Sequence, residues 1–296
     1  MRTLAAILLL AAGSLPGTAG ELTTRTESDG IWVLEDGAPV LFFHGAPMPG
    51  AAPAERGTYI HPILTPSGTA LTLNAPEDHP HHRGLFWAWH QIVKDGVKVA
   101  DGWDMKDIDW VVDRLDATVT GGEVRLNVEL RWVLKDGTAL IREQDHFTIH
   151  ATEAGVRRMD AEVRLKALLP GVAIGGSDNE RGYSGPSWRL PDAPRLSFES
   201  GQGAVKAEMN AVTASGWMQF LHPDWTALMT CAVDGVPVTR WILRNELSMQ
   251  NCAWPGRQTV PVPGDRDIVL ESRFLWQDGA PDAAWGSARQ AAISGD

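Results

Sequence analysis

Cysteine is scarce in this chain. Cys231 and Cys252 are the only two in 296 residues, and neither belongs to a C-x-x-C pair. That excludes a disulfide-dense scaffold and a structural thiolate zinc site. The two lie in neighbouring strand-like segments, so a disulfide and a pair of buried free thiols are both open. A closed loop of that size would contribute roughly 3 kcal/mol. Basic residues are short as well: 26 Lys and Arg against 37 Asp and Glu give a net charge of −11. Nucleic acid needs a basic footprint and is excluded as a partner. Past the N-terminus, no stretch offers the roughly 20 apolar residues of a spanning helix, so no membrane span is expected. The sequence has no G-x-S-x-G elbow, no P-loop, no G-x-G-x-x-G after a strand and no H-E-x-x-H. Serine-hydrolase chemistry and a nucleotide cofactor therefore lose their main signatures.

The one long apolar run lies at the start. Arg2 precedes the apolar stretch Leu4 to Ala12, and Ser14 to Gly20 are small residues around Pro16. Residues 1–20 read as a secretory signal peptide. The expected mature protein, residues 21–296, is exported, with the periplasm as the simplest home. Losing Arg2 would take its net charge to −12.

Helical periodicity is missing from the body of the chain, and alternation takes its place. Val124, Leu126, Val128, Leu130 and Trp132 alternate with polar residues, which is the period of a half-buried strand. Strand-like segments at 115–120, 123–134, 138–150 and 156–168 are separated by Gly121-Gly122, Asp136-Gly137 and Glu153-Ala154-Gly155, which suit tight hairpins. Further strands are expected at 22–27, 31–35, 39–44, 58–65, 69–73, 85–92 and six places between 194 and 276. Residues 45–57, rich in Pro, Ala and Gly, read as a surface loop, and Ala283 to Ile293 as a short helix or a frayed tail. The expected fold is all-β: a single domain over 21–296, with large antiparallel sheets packed face to face.

The densest chemistry is in Glu77-Asp78-His79-Pro80-His81-His82-Arg83-Gly84-Leu85-Phe86-Trp87-Ala88-Trp89-His90, which holds four of the nine histidines. Imidazoles beside carboxylates can bind a metal or move protons near neutral pH. Pro80 pushes His79 towards an extended conformation, which would point His79 and His81 one way and His82 the other. A metal site would then need a ligand from elsewhere, and His61 is the natural candidate. The expected donors for one divalent ion are His61, His79, His81 and Asp78, a nitrogen and oxygen set. On the following strand Phe86, Ala88 and His90 share one face, and Trp87 and Trp89 share the other, which could be core.

Two more polar clusters stand out. Ser177 to Arg189 has the composition of a functional loop leading into a strand, with Glu180 as a candidate acid or base and Tyr183 and Arg189 as candidate ligand binders. Asn245 to Asn251, with Trp254 beyond, suits hydroxyl recognition or turns. The chain holds 13 Trp, and Trp103, Trp188 and Trp254 are the candidates for stacking on a ligand. His222 and the pair Glu143 and His146 are weaker candidates.

Tyr59-Ile60-His61-Pro62, Thr65-Pro66-Ser67-Gly68 and Asp78-His79-Pro80-His81-His82-Arg83-Gly84 resemble an exported bacterial family catalogued as "methane oxygenase PmoA". The likeness extends through Gly182-Tyr183-Ser184-Gly185, Arg189, Gln250-Asn251 and Trp254-Pro255-Gly256, over most of the mature chain. The label implies methane oxidation, but a membrane monooxygenase subunit needs spanning helices that this sequence lacks. The family is similar to galactose-mutarotase-like supersandwich proteins, which implies carbohydrate metabolism. The expectation is an exported carbohydrate-active enzyme for hydrolysis or elimination of a glycoside or keto-glycoside, taking a small-molecule or oligosaccharide substrate. His61, His81, His82 and Glu180 are its expected catalytic residues. Arg83, His90, Trp103, Tyr183, Trp188, Arg189, Asn251 and Trp254 are its expected substrate binders. The alternatives are a sugar mutarotase or epimerase without metal and a non-catalytic carbohydrate-binding protein.

Overall fold

The computed structural model describes residues 20–47, 56–246 and 249–295. The expected signal peptide lies outside the described residues apart from Gly20, as do residues 48–55 of the expected surface loop.

Antiparallel sheets make up nearly the whole architecture. The larger has eleven strands, and its long meander runs through Ile108–Thr120, Glu123–Leu134, Ala139–Glu153, Val156–Ala167 and Ile268–Asp278. The other main sheet has nine, with Leu85–Trp89 and Ser184–Trp188 near its middle. A four-stranded sheet includes Gln91–Lys94 and Val97–Ala100. The alternating side chains explain the packing. Val124, Leu126, Val128, Leu130 and Trp132 join Phe147, Ile149 and Phe274 from their own sheet, and Trp87, Trp89 and Trp188 from the other, in one buried cluster. The protein is a β-sandwich, as the alternation predicts.

Two local expectations change, and a third, left open between helix and tail, is decided. The strand expected at 115–120 begins at Ile108. Residues 69–73 form no strand: Ala70 makes an isolated bridge to Leu64, and Thr72 turns its hydroxyl to His61 and to the Ile63 N–H. The C-terminal segment is a helix, Ala283–Ser294, capped by the Asp282 side chain and closed by Gly295 at φ 89°. Trp285 pins it to Val156, Leu228 and Leu275. Among the described residues, no helix is long and apolar enough to cross a membrane.

The open question about the cysteines resolves to a disulfide, Cys231–Cys252. Cys231 follows strand Trp225–Thr230 of the larger sheet, and Cys252 ends strand Gln250–Cys252 of the nine-stranded sheet. The bond ties the two sheets together.

Candidate functional site

Strand Leu85–Trp89 is buried on both faces, and its alternation divides two environments. Leu85, Trp87 and Trp89 enter the main core, while Phe86 and Ala88 join Tyr59, Trp103 and Met249 in a separate apolar cluster with Tyr183 packed on it. That second cluster floors a cleft. Gly84 lets the strand begin there: a Cβ would sit 2.0 Å from the Ile60 carbonyl oxygen and 2.9 Å from the His61 Cβ.

The histidine motif is a closed loop rather than an extended segment. The Ala75 N–H donates to the His82 carbonyl (2.9 Å), His79 N–H to Pro76 (3.0 Å) and His82 N–H to His79 (2.9 Å). These turns gather the three imidazoles that alternation would have split. His79 stacks on His82 at 4.6 Å between centroids, and His81 meets His82 edge-on at 4.5 Å.

Each ring has a distinct electrostatic role. Burial would raise the Asp78 carboxyl, but hydrogen bonds from His79 and Arg189 outweigh it and hold the group below the usual carboxylate range. As an ionised carboxylate Asp78 only accepts, so the His79 Nδ1 at 2.9 Å carries a proton, and in the neutral ring it is Nε2 that holds the lone pair. His90 repeats this design, with Nδ1 3.0 Å from Asp101. Burial works against Asp101 too, but His90, the Asp104 N–H and Lys98 hold it at about 2. His82 is the opposite case. Arg189 Nη1, which can only donate, lies 3.1 Å from its Nδ1, so Nε2 bears the hydrogen. Burial, then the neighbouring His81 and Arg189, push the His82 pKa far down, and the ring stays neutral. Burial also lowers His81, with Asp104 opposing and His79 and His90 assisting.

Two adjoining recesses share His79, His82, Arg181 and Tyr183. One, about 570 Å³, adds His81, His90, Trp103 and Asp104; the other, about 310 Å³, adds Arg189, Arg244 and Met249. Both volumes fall in the range of small-ligand sites. A larger recess of about 750 Å³ lies on the outer face of the eleven-stranded sheet beside the C-terminal helix, and of the sequence candidates only His146 borders it.

Several expected site residues lie elsewhere. His61 borders neither recess; its Nδ1 is 2.8 Å from the Thr72 hydroxyl, and burial, then His44, lower its pKa to about 4. Glu180 points to solvent, its side chain 73% exposed and paired with Arg257 at 3.2 Å. Trp188 is fully buried against Phe220 and Phe274, and Trp254 packs on the main core. Asn251 is buried and stitches its strand neighbour, donating to the carbonyls of Ser184 (2.9 Å) and Pro186 (2.8 Å). Arg83 closes the histidine loop by donating to the Pro80 and His82 carbonyls. The aromatic wall comes from Trp103, stacked on His90 at 5.3 Å, and from Tyr183.

The expected metal donors His61, His79, His81 and Asp78 do not converge on one ion position: His79 bonds Asp78, and His61 turns to Thr72. Among the described residues the one group of three or more donors within reach of a single ion is His90, Asp101 and Asp104. Asp101 is already saturated: one oxygen takes His90 and the Lys98 ammonium (2.9 Å), the other takes the Trp103 and Asp104 N–H groups. Lys98 and the hydrogen bonds supply what a cation would, so this set does not fit a metal. Asp101 instead orients His90. Neither Asp101 nor Arg244 stood out in the sequence. The Asp101-Gly102-Trp103-Asp104 turn was the available signal for the first.

A family model matches residues 31–289, nearly the whole described chain. The chain belongs to DUF6807, a family of unknown function. No curated protein matches it. Every residue that borders the cleft falls within the matched span.

Proposed function

We propose that this protein is an exported carbohydrate-active enzyme that cleaves a glycoside by proton transfer, acting on a keto-glycoside by elimination or on its parent by hydrolysis. The carrying observation is the pair of carboxylate-backed imidazoles, His79–Asp78 and His90–Asp101, bordering one recess of about 570 Å³. A carboxylate behind Nδ1 fixes the tautomer and steadies the imidazolium formed when Nε2 takes a proton. In the elimination, one imidazole removes the proton beside the carbonyl. The electron pair forms a carbon–carbon double bond, the C–O bond to the leaving group breaks, and the leaving oxygen takes up a proton. Trp103 and Tyr183 offer aromatic faces to the sugar, and Arg181 offers donors to its hydroxyls.

The sequence motifs resemble a family similar to galactose-mutarotase-like proteins, which favours a sugar substrate, and the Cys231–Cys252 disulfide supports an exported, periplasmic setting. This reading routes no step through a metal, because the carboxylate-backed imidazoles supply the base.

The test is turnover of 4-nitrophenyl and methyl glucosides and their keto forms by the mature protein. His79→Ala and His90→Ala are each expected to lose about 10²–10⁴-fold in kcat, and strong chelation is expected to leave wild-type turnover intact. Full turnover by both variants would sink the assignment. The same two imidazoles could serve as acid and base in a mutarotase, so exchange of anomers without cleavage would select that reading.

A further inference from the structure

Four residues border both recesses: His79, His82, Arg181 and Tyr183. The bond-breaking step proposed above needs a proton for the leaving oxygen, and these four can be compared as its source. His79 donates its Nδ1 hydrogen to Asp78 and presents a lone pair at Nε2, so it is a base. His82 has a hydrogen at Nε2, but losing it would create an imidazolate, far too basic to form here. A guanidinium does not give up its protons in proteins, which removes Arg181. Tyr183 is left.

Its surroundings fit the role. The Tyr183 oxygen accepts two hydrogen bonds from one guanidinium, Arg244 Nη2 at 2.8 Å and Nε at 3.1 Å. With its acceptor positions filled, the hydroxyl has only its hydrogen left to offer. The other three Arg244 hydrogens go to the backbone carbonyls of Glu208 (2.7 Å), Leu243 (2.8 Å) and Met209 (2.9 Å). All five are therefore used, and none meets a carboxylate. Arg244 has no donor to spare for a substrate, yet its positive charge stays on the phenolic oxygen.

The frame around this pair is rigid. Buried Gln250 clamps the Arg244 backbone at both ends, accepting from its N–H (3.0 Å) and donating to its carbonyl (2.8 Å). The Tyr183 N–H donates to the Ser177 hydroxyl (2.9 Å), and its ring rests on Trp103 at 5.3 Å. Gly182, at φ 68°, makes the turn that delivers it, and a Cβ there would meet the Arg257 nitrogen at 2.8 Å.

We infer that Tyr183 is the proton donor to the leaving group and that Arg244 is its positioning residue. This rests on the reading of the cleft as a site that breaks a glycosidic C–O bond. As that bond breaks, the Tyr183 O–H bond breaks with it, the proton passes to the leaving oxygen, and the phenolate left behind stays hydrogen-bonded to the Arg244 guanidinium. The proton that His79 or His90 took from the sugar returns to Tyr183 by way of water, which closes the cycle.

The test is the dependence of rate on the leaving group. Methoxide is a poor leaving group without a proton, and 4-nitrophenolate is a good one. Tyr183→Phe, a one-atom deletion that keeps the ring packing, is expected to lose about 10²–10⁴-fold in kcat on the methyl keto-glucoside. On the 4-nitrophenyl keto-glucoside it is expected to lose far less. Arg244→Met is expected to reproduce that selectivity, and Arg244→Lys to recover part of it by restoring the charge without the fork. Equal losses on both probes, or none, would overturn the inference while leaving the enzyme reading in place if His79 is still required. A wild type that turns over neither probe overturns both.

Discussion

Replacing Asp145 by asparagine should remove a pH dependence of stability that the core carries. Glu143 and Asp145 lie two residues apart on strand Ala139–Glu153, so they point the same way, and both are buried. Burial raises both carboxyls, and the neighbouring Glu143 raises Asp145 further. Trp132 Nε1–H donates to Glu143 and Arg56 draws it back towards ionisation, so the proton of the pair sits on Asp145. In the unfolded chain both groups ionise near pH 4. Above that range, for as long as Asp145 keeps its proton, the native state holds one proton more than the unfolded state. Stability is fully present below the unfolded pKa and falls as pH rises towards the folded one. The slope for one proton is about 1.4 kcal/mol per pH unit while Asp145 stays protonated in the native state. Asp145→Asn keeps the shape and supplies a permanent N–H to Glu143. Urea unfolding followed by tryptophan fluorescence, with the disulfide intact, should give a stability difference between variant and wild type that grows in the variant's favour from pH 5 to pH 7. A difference that stays constant over the window would refute the shared proton.

Two further outcomes follow from the packing. Replacing Cys231 and Cys252 together by serine should lower stability by roughly 3 kcal/mol, with dithiothreitol giving wild type a loss of similar size; an unchanged unfolding midpoint would deny the cross-link its role. Trp188→Phe should leave KM for a glycoside unchanged, whereas Trp188→Ala should destabilise by ~3–5 kcal/mol; a raised KM in the phenylalanine variant would return this residue to the binding site.

The sandwich was legible because its signal is local and periodic. Val124 to Trp132 alternate in the sequence and alternate in the fold, and the Asp-Gly and Gly-Gly turns separate the strands where expected. The same rule failed on the histidine motif because it was applied to a segment that is not a strand. His79 to His82 close a turn, and three rings that an extended backbone would divide stand within 6 Å of one another. An extended loop would need His61 as a further partner; the closed loop brings its own rings together and leaves His61 bonded to Thr72. Trp188, Asn251 and Glu180 illustrate a second limit. Composition marks a residue type, but burial against Phe274, a stitch to Pro186 or a pairing with Arg257 depends on contacts across at least 65 residues. Arg244 gave no signal for a similar reason, since it acts on Tyr183 across 61 residues, whereas Asp101 acts on His90 across only 11 and its Asp-Gly-Trp-Asp turn was the signal available.

The arrangement around Arg189 shows why core and cleft cannot be varied separately. Its guanidinium is buried, its backbone comes directly after the fully buried Trp188 that ends strand Ser184–Trp188, and it binds Asp78 at 2.6 Å and His82 at 3.1 Å. With His79 it holds Asp78 ionised, and the ionised Asp78 fixes a hydrogen on His79 Nδ1; Arg189 also sets the tautomer of His82 directly. One side chain anchored beside the core thus decides which imidazole in the cleft is a base and which is a donor. A lysine in its place would keep the charge but could not reach both partners with a planar fork. The two histidines would then be free to exchange tautomers, and the loop would lose its division of roles without losing its fold.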